Sequence, residues 1–146
     1  MELQQNQVSK NIFIGDSSMA RDKEWLKEKK ITHIVNATEE IPNFYQGEFH
    51  YLKMNLFDSL HDDLLLKLEP SYRYINGVLN RNPNNVILIH CHMGISRSAS
   101  TVIYYLMRSK GWSYEKSLNY LRGVRPIVAP NPWYEKQLMD ADLTKK

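Results

Sequence analysis

Val86-Ile87-Leu88-Ile89-His90-Cys91-His92-Met93-Gly94-Ile95-Ser96-Arg97-Ser98-Ala99 decides how the rest of the chain is read. Its first four residues form an apolar run that reads as a buried strand. Beyond them, Ala99, Val102, Ile103 and Leu106 fall at i, i+3, i+4 and i+7, the spacing of a helix that buries one side. Between strand and helix lies a short loop with the only cysteine, Cys91, and, after five intervening residues, Arg97. Such a loop presents backbone N–H groups to a common centre, and the helix dipole favours negative charge there. With a thiol at one end and a guanidinium at the other, the expected product is a cup for a dianion with a nucleophile at its floor.

Outward from this unit, strands alternate with helices. Residues 11–15, 31–35, 49–54 and 86–90 read as strands. Residues 21–30 read as a helix with Trp25 and Leu26 on its apolar side, and residues 97–109 as another. Leu65, Leu68, Tyr72, Ile75 and Leu79 keep helical spacing, and Pro70 marks either a kink or the true start of that helix. Ser113 is placed to cap a helix that ends at Arg122, with Gly123 as its stop. Asn131 or a neighbour starts a last helix ending near Leu143. The polar residues up to about Val8 read as loose. The alternation implies one α/β domain over residues 1–146 with a mostly parallel sheet. Ligands of such sheets bind at the carboxyl ends of strands, where Cys91 falls.

With 146 residues, 42% hydrophobic and 24% charged, the chain is long enough to bury a core. A formal net charge of +3 helps attract phosphorylated substrates but is no nucleic-acid footprint, and the basic residues are dispersed. The densest charge run, Lys27 to Lys30, reads as the solvated end of a helix. One cysteine excludes an internal disulfide. No stretch has the length and apolarity of a signal peptide or membrane span, and Met1 and Lys145-Lys146 fit no lipidation motif. The expectation is a cytoplasmic or nuclear protein with no cofactor and no membrane or nucleic-acid partner.

Each loop residue has a chemical reading. A thiol beside loop amides and Arg97 is expected to ionise at neutral pH and attack phosphorus; the competing reading is an inert buried thiol. Arg97 offers a planar fork to two phosphate oxygens, which a lysine does not. The interior residues His92, Met93, Gly94, Ile95 and Ser96 are expected to bind phosphate together with Arg97. Gly94 permits a twist or close approach that a side chain would block. Ser98 is placed to donate a hydrogen bond to the departing thiolate, or is a plain helix-start serine. His90 and His92 do not make a metal site, because three adjacent residues do not converge on one ion and no second cluster completes the set. His90 is expected to be a buried imidazole on the loop backbone, and His92 to line the rim.

His90-Cys91, five residues, then Arg97-Ser98 resembles the loop of cysteine-dependent protein phosphatases, and Gly94-Ile95-Ser96-Arg97-Ser98-Ala99 resembles their dual-specificity branch. The similarity extends over nearly the whole chain. Ile12-Phe13-Ile14-Gly15 and Ile31 through Thr38 look like the family's first strands, and Arg125-Pro126 and Pro130-Asn131 like the segment packed behind the loop. The resemblance implies a phosphotyrosine-phosphatase-like fold, a sheet of about five strands flanked by helices. It also implies that Asp58 is the general acid, since a serine or tyrosine oxygen leaves poorly unless protonated. Asp62 and Asp63 compete for that role and otherwise read as helix-start charges before Leu64. Asn131 is implied to steady the phosphate loop, with an ordinary helix cap as the alternative.

The expected partners are therefore phosphorylated proteins, with phosphate or sulfate as the small anion in the cup. Nucleophile, arginine and acid are all present, which argues against a phospho-binding pseudophosphatase scaffold. The loop interior has no lysine, unlike the phosphoinositide phosphatases of the superfamily. Without a segment to deepen the pocket, the resemblance implies a shallow cleft open to phosphotyrosine and phosphoserine/threonine alike. Tyrosine-only or non-protein phosphomonoester activity is the alternative.

Overall fold

The apolar run before the cysteine lies at the centre of the sheet, with a neighbour on each side. The structure is a computed structural model that describes residues 3–145. Its five strands are β1 (Gln7–Ser9), β2 (Ile12–Gly15), β3 (His33–Thr38), β4 (His50–Leu56) and β5 (Ile87–His90), in the order β1-β2-β5-β3-β4. All neighbours run parallel except the β1–β2 pair. Side chains of a strand alternate between faces, and β5 shows it: Ile87 and Ile89 enter one apolar cluster, Leu88 the other. The first cluster packs under helices α3 (Leu64–Arg81), α4 (Arg97–Lys110), α5 (Tyr114–Val124) and α6 (Pro132–Asp140). The second packs under α1 (Ser17–Arg21) and α2 (Lys23–Glu28) through Ala20 and Leu26. Both faces of β5 are thus covered, which is why its residues read as one unbroken apolar run.

Several boundaries differ from the sequence reading, each for a local reason. The opening residues are not loose as far as Val8: Gln7–Ser9 forms an edge strand, and Val8 is buried with its carbonyl accepting from Tyr120 Oη. The helix expected over residues 21–30 is shorter, Lys23–Glu28, and Arg21 instead ends the separate helix α1. Asp22 closes α1 and its side chain caps α2 by accepting from Trp25 N. Pro70 neither starts nor ends α3; it lies inside that helix on the exposed side. Gly123 lies within α5, which runs one residue further to Val124. The left-handed helix stop belongs to Gly111, whose φ of 69° ends α4 with its N–H on Met107 O. Ser113 and Asn131 cap α5 and α6 as their spacing predicts. Among the described residues no helix is long and apolar enough to cross a membrane.

Candidate active site

The loop from Cys91 to Arg97 is shaped by what its carbonyls do. His92 O accepts from Ser17 N at 3.1 Å, Ile95 O from Ala129 N at 2.7 Å and Ser96 O from Ser100 N at 2.8 Å. Arg125 takes the two between: its Nη2 donates to Met93 O at 3.0 Å and its Nε to Gly94 O at 2.8 Å. Five successive carbonyls are therefore held outward. In a trans peptide the next N–H points the opposite way, so the amides of residues 93–97 face the interior of the loop. Gly94 makes the curve possible. Its φ is +69°, and a Cβ there would stand 2.8 Å from Gly15 O and 2.7 Å from Arg125 Nη2.

Cys91 Sγ lies on the floor of this cup. It accepts from Gly94 N at 3.2 Å and lies 3.1 Å from Ser98 Oγ. Ser98 is fully buried at the start of α4, so its hydroxyl is fixed beside sulfur rather than solvated. His90 is buried, with Nδ1 3.3 Å from Cys91 O; burial pushes its imidazole pKa down to about 4, so it remains neutral behind the loop. His92 is exposed at the rim, close enough to Glu40 to act on its charge.

Arg97 is 6% exposed, and its guanidinium is gripped by a residue that the sequence reading did not single out. Nη1 and Nη2 donate to Glu40 Oε1 and Oε2, each at 2.7 Å, and Nη1 also donates to Leu56 O at 2.9 Å. Burial opposes the arginine's charge, but the Glu40 carboxylate more than offsets this and raises its pKa. Reciprocally, the hydrogen bond from Arg97 holds the Glu40 carboxyl down at about 2. Cys91 and Asp58 lie close enough to act electrostatically on the same guanidinium.

Asp58 sits beyond β4 on an exposed turn with φ +59°. Its N–H donates to Tyr134 Oη at 3.0 Å, and its Oδ1 accepts from Asn131 Nδ2 at 2.9 Å. The orientation of Asn131 is set by its other end, where Oδ1 caps α6 by accepting from Tyr134 N at 2.8 Å. The backbone N–H of Asn131 donates to Ser96 Oγ at 3.0 Å. Asn131 is thus both a helix cap and a link from the loop around sulfur to the Asp58 turn.

Asp62 is not a helix-start charge. It is buried and accepts from Phe57 N, Ser59 N and the Tyr134 hydroxyl, bracketing Asp58 on both sides. Asp63 occupies the cap position of α3 without a side-chain bond, and Leu64 N donates to Gln137 Oε1 instead. Tyr134, Asp62 and Arg125 are therefore framework residues of the site. The sequence reading placed Arg125 behind the loop by resemblance and weighed Asp62 as an acid; Tyr134 it did not single out, and its only signal was proximity to Asn131. Among the described residues no three His, Cys, Asp or Glu side chains gather as a metal site. A separate cleft, about 920 Å³, lies along β4 against His33, His50, Tyr74 and Arg81. It starts at the end of the sheet opposite Cys91.

Comparison with known proteins finds likeness over most of the chain. A family model described as dual specificity phosphatase, catalytic domain, matches residues 12–143. Human protein phosphatase Slingshot homolog 2 is 35% identical over 132 residues, 90% of this chain and 9% of the relative. Mouse protein phosphatase Slingshot homolog 1 is 38% identical over 130 residues, 89% of this chain and 12% of the relative. The chain therefore spans about a tenth of the length of those two relatives. Human DUSP28 superposes with a TM-score of 0.88 at 27% identity, covering 99% of this chain and 97% of that one. A mouse putative dual specificity phosphatase, crystallised as a complex with zinc tungstate, gives 0.87 at 28% identity, covering 99% and 91%.

Proposed function

The chain belongs to the dual-specificity phosphatase catalytic-domain family, and from this membership and the geometry of the cup we propose that it hydrolyses phosphotyrosine and phosphoserine/threonine in proteins through a phosphocysteine. The observation that carries the reading is the inward set of amides over Cys91 Sγ, closed by Arg97. These donors suit the three non-bridging oxygens of a phosphoryl group, and the Arg97 fork bears on charge that spreads over them in the transition state. The reading extends to phosphate or sulfate as small-anion ligands of the cup. The tungstate complex of the mouse relative supports an oxyanion of this kind.

In the first step the Cys91 thiolate attacks phosphorus as the P–O bond to the substrate breaks. Asp58 gives its proton to the departing oxygen. In the second step water attacks the phosphocysteine, its proton passes to the Asp58 carboxylate, and the S–P bonding pair returns to sulfur. The Ser98 hydroxyl beside Sγ stabilises the thiolate as it leaves. Turnover of a phosphotyrosine and a phosphothreonine peptide by the wild type, Cys91→Ser and Asp58→Asn tests this. The wild type is expected to release phosphate from both, Cys91→Ser from neither, and Asp58→Asn to lose about 10²–10⁴-fold. Turnover retained by Cys91→Ser would overturn the covalent route.

A further inference from the structure

Around the cleft along β4, side-chain donors collect that no protein acceptor uses. His33 and His50 lie opposite each other on β3 and β4, and their rings stack with centroids 4.8 Å apart. His33 is 8% exposed, and its Nδ1 lies 2.7 Å from Thr32 Oγ1. That hydroxyl is also 3.1 Å from Val86 O, but Val86 O already accepts from Thr32 N and His33 N. The hydroxyl proton therefore goes to Nδ1, and the neutral ring carries its own proton on Nε2. Nε2 has no partner among the described residues, and burial makes an unpaired donor costly. Tyr74 of α3 packs edge-on against His33, its hydroxyl likewise bonded to no described residue. Arg81, the last residue of α3, is exposed and forms no ion pair among the described residues. Burial, then the positive charges of His50 and Arg81, hold the His33 imidazole below its usual range. The cleft thus gathers positive charge and hydrogen-bond donors, a surface that suits carboxylates.

The same cleft runs beside a free edge of the sheet. β4 is the last strand in the order, with β3 as its one neighbour. His50 N donates inward to Thr32 O at 3.2 Å, so, by the alternation of a strand's hydrogen-bonding groups, the N–H and C=O of Tyr51 and Lys53 turn outward. Both residues line the cleft. An edge of this kind accepts an added strand, with main-chain bonds giving affinity and side chains giving selection. Here charge does the selecting. Among the lining residues the one carboxylate, Glu48, is held by Lys23 at 2.9 Å. Lys53 Nζ is turned to Thr38 O and Glu39 O, which leaves Arg81 as the cation free to pair. We propose that this cleft is a docking site for an extended acidic peptide segment, which pairs its backbone with Tyr51 and Lys53 and sets its carboxylates against Arg81, the His33 Nε2–H and the Tyr74 hydroxyl. The site starts at the end of the sheet opposite Cys91, so its occupation leaves the cup free.

Binding is read on the full chain with two dye-labelled eight-residue peptides, one alternating Glu with Thr and one alternating Lys with Thr, each with and without vanadate. The Glu peptide is expected to bind at least about tenfold tighter than the Lys peptide, because like charge at the cleft rejects the latter. Vanadate is expected to leave its affinity unchanged. NMR is expected to place the largest shifts at the Tyr51 and Lys53 amides and the His33 ring. Arg81→Ala is expected to weaken the Glu peptide about threefold and Arg81→Glu about tenfold, the scale of one and two exposed charges. Both are surface changes, so the midpoint of thermal unfolding is expected to stay within about 3 °C of the wild type. Tyr74→Phe removes only the hydroxyl and is expected to weaken the Glu peptide about threefold. Equal binding of both peptides, unchanged affinity in Arg81→Glu, or displacement of the Glu peptide by vanadate would overturn the proposal. So would shifts confined to the cup, or self-association of the chain that fills the β4 edge in place of the peptide.

Discussion

Replacing Tyr134 by Phe removes one oxygen atom and tests whether the Asp58 turn is held from the α6 side. Tyr134 is fully buried, and its hydroxyl accepts from Asp58 N while donating to Asp62. Burial and the Asp62 carboxylate push the phenol above its usual range, so it stays a donor throughout the working pH range. Asp62 retains two backbone donors in the variant, Phe57 N and Ser59 N. The loss therefore lies between about 1 kcal/mol for a net hydrogen bond and about 3 kcal/mol for a buried acceptor left short. Against it stands the left-handed backbone of Asp58 at φ +59°, which costs roughly 1–2 kcal/mol. The two terms are of one size, so without the hydroxyl the turn leaves this conformation for a substantial part of the time. For phosphothreonine peptides, whose leaving oxygen needs a proton, kcat/KM is expected to fall about tenfold, equivalent to about 1.4 kcal/mol. For an aryl phosphate with an acidic phenol it is expected to change less than about twofold, because that oxygen leaves unprotonated. The midpoint of thermal unfolding should drop by about 3 °C per kcal/mol lost. Equal losses on both substrates would refute the reasoning, since the hydroxyl would then act on the cup or the whole fold rather than on the acid.

Gly94→Ala places a Cβ 2.8 Å from Gly15 O at a φ of +69°; turnover is expected to drop more than about 100-fold and thermal stability by about 1–2 kcal/mol or more, and a variant of wild-type activity would show that the loop shape is not required. His90 couples pH to stability: burial lowers its pKa from 6.5 to about 4 in the folded protein, so the unfolded chain binds a proton that the folded one refuses. Its contribution is full above about pH 6.5 and is lost as pH falls toward 4, by about 3 kcal/mol at the lower limit; urea titrations of wild type and His90→Gln across that window should diverge, and parallel curves would refute the assignment. Mild peroxide is expected to convert Cys91, the only cysteine, to a sulfenic acid or sulfenamide that proceeds readily to irreversible forms; mass spectrometry dominated by a reducible intermolecular disulfide would contradict this.

The arrangement around Cys91 was legible because its chemistry is local. Strand, cysteine, glycine, arginine and helix follow one another within a single segment, and a cup built from consecutive amides needs only that segment to curve. The helix caps at Ser113 and Asn131 were legible for the same reason, since each binds an N–H three residues on. Asp62 shows the limit of such reasoning. An acidic residue before a helix has a local role by propensity, and the buried Tyr134 hydroxyl 72 residues away overrides it. Glu40 is 57 residues from Arg97 and Tyr134 is 76 from Asp58, separations over which no spacing rule operates. Strand order joins Glu40 to Arg97. β5 enters the sheet beside β3 with Asn36 opposite His90, so the turn after β3 and the loop after β5 emerge side by side at one edge. The sequence by itself therefore determined that cysteine, glycine and arginine share one loop between a strand and a helix, and the alternation of strands and helices, all of which follow from near neighbours. Only the tertiary structure decided which carboxylate pairs with the arginine and which hydroxyl bonds the Asp58 turn, because those pairs meet only when elements distant in the chain pack against one another.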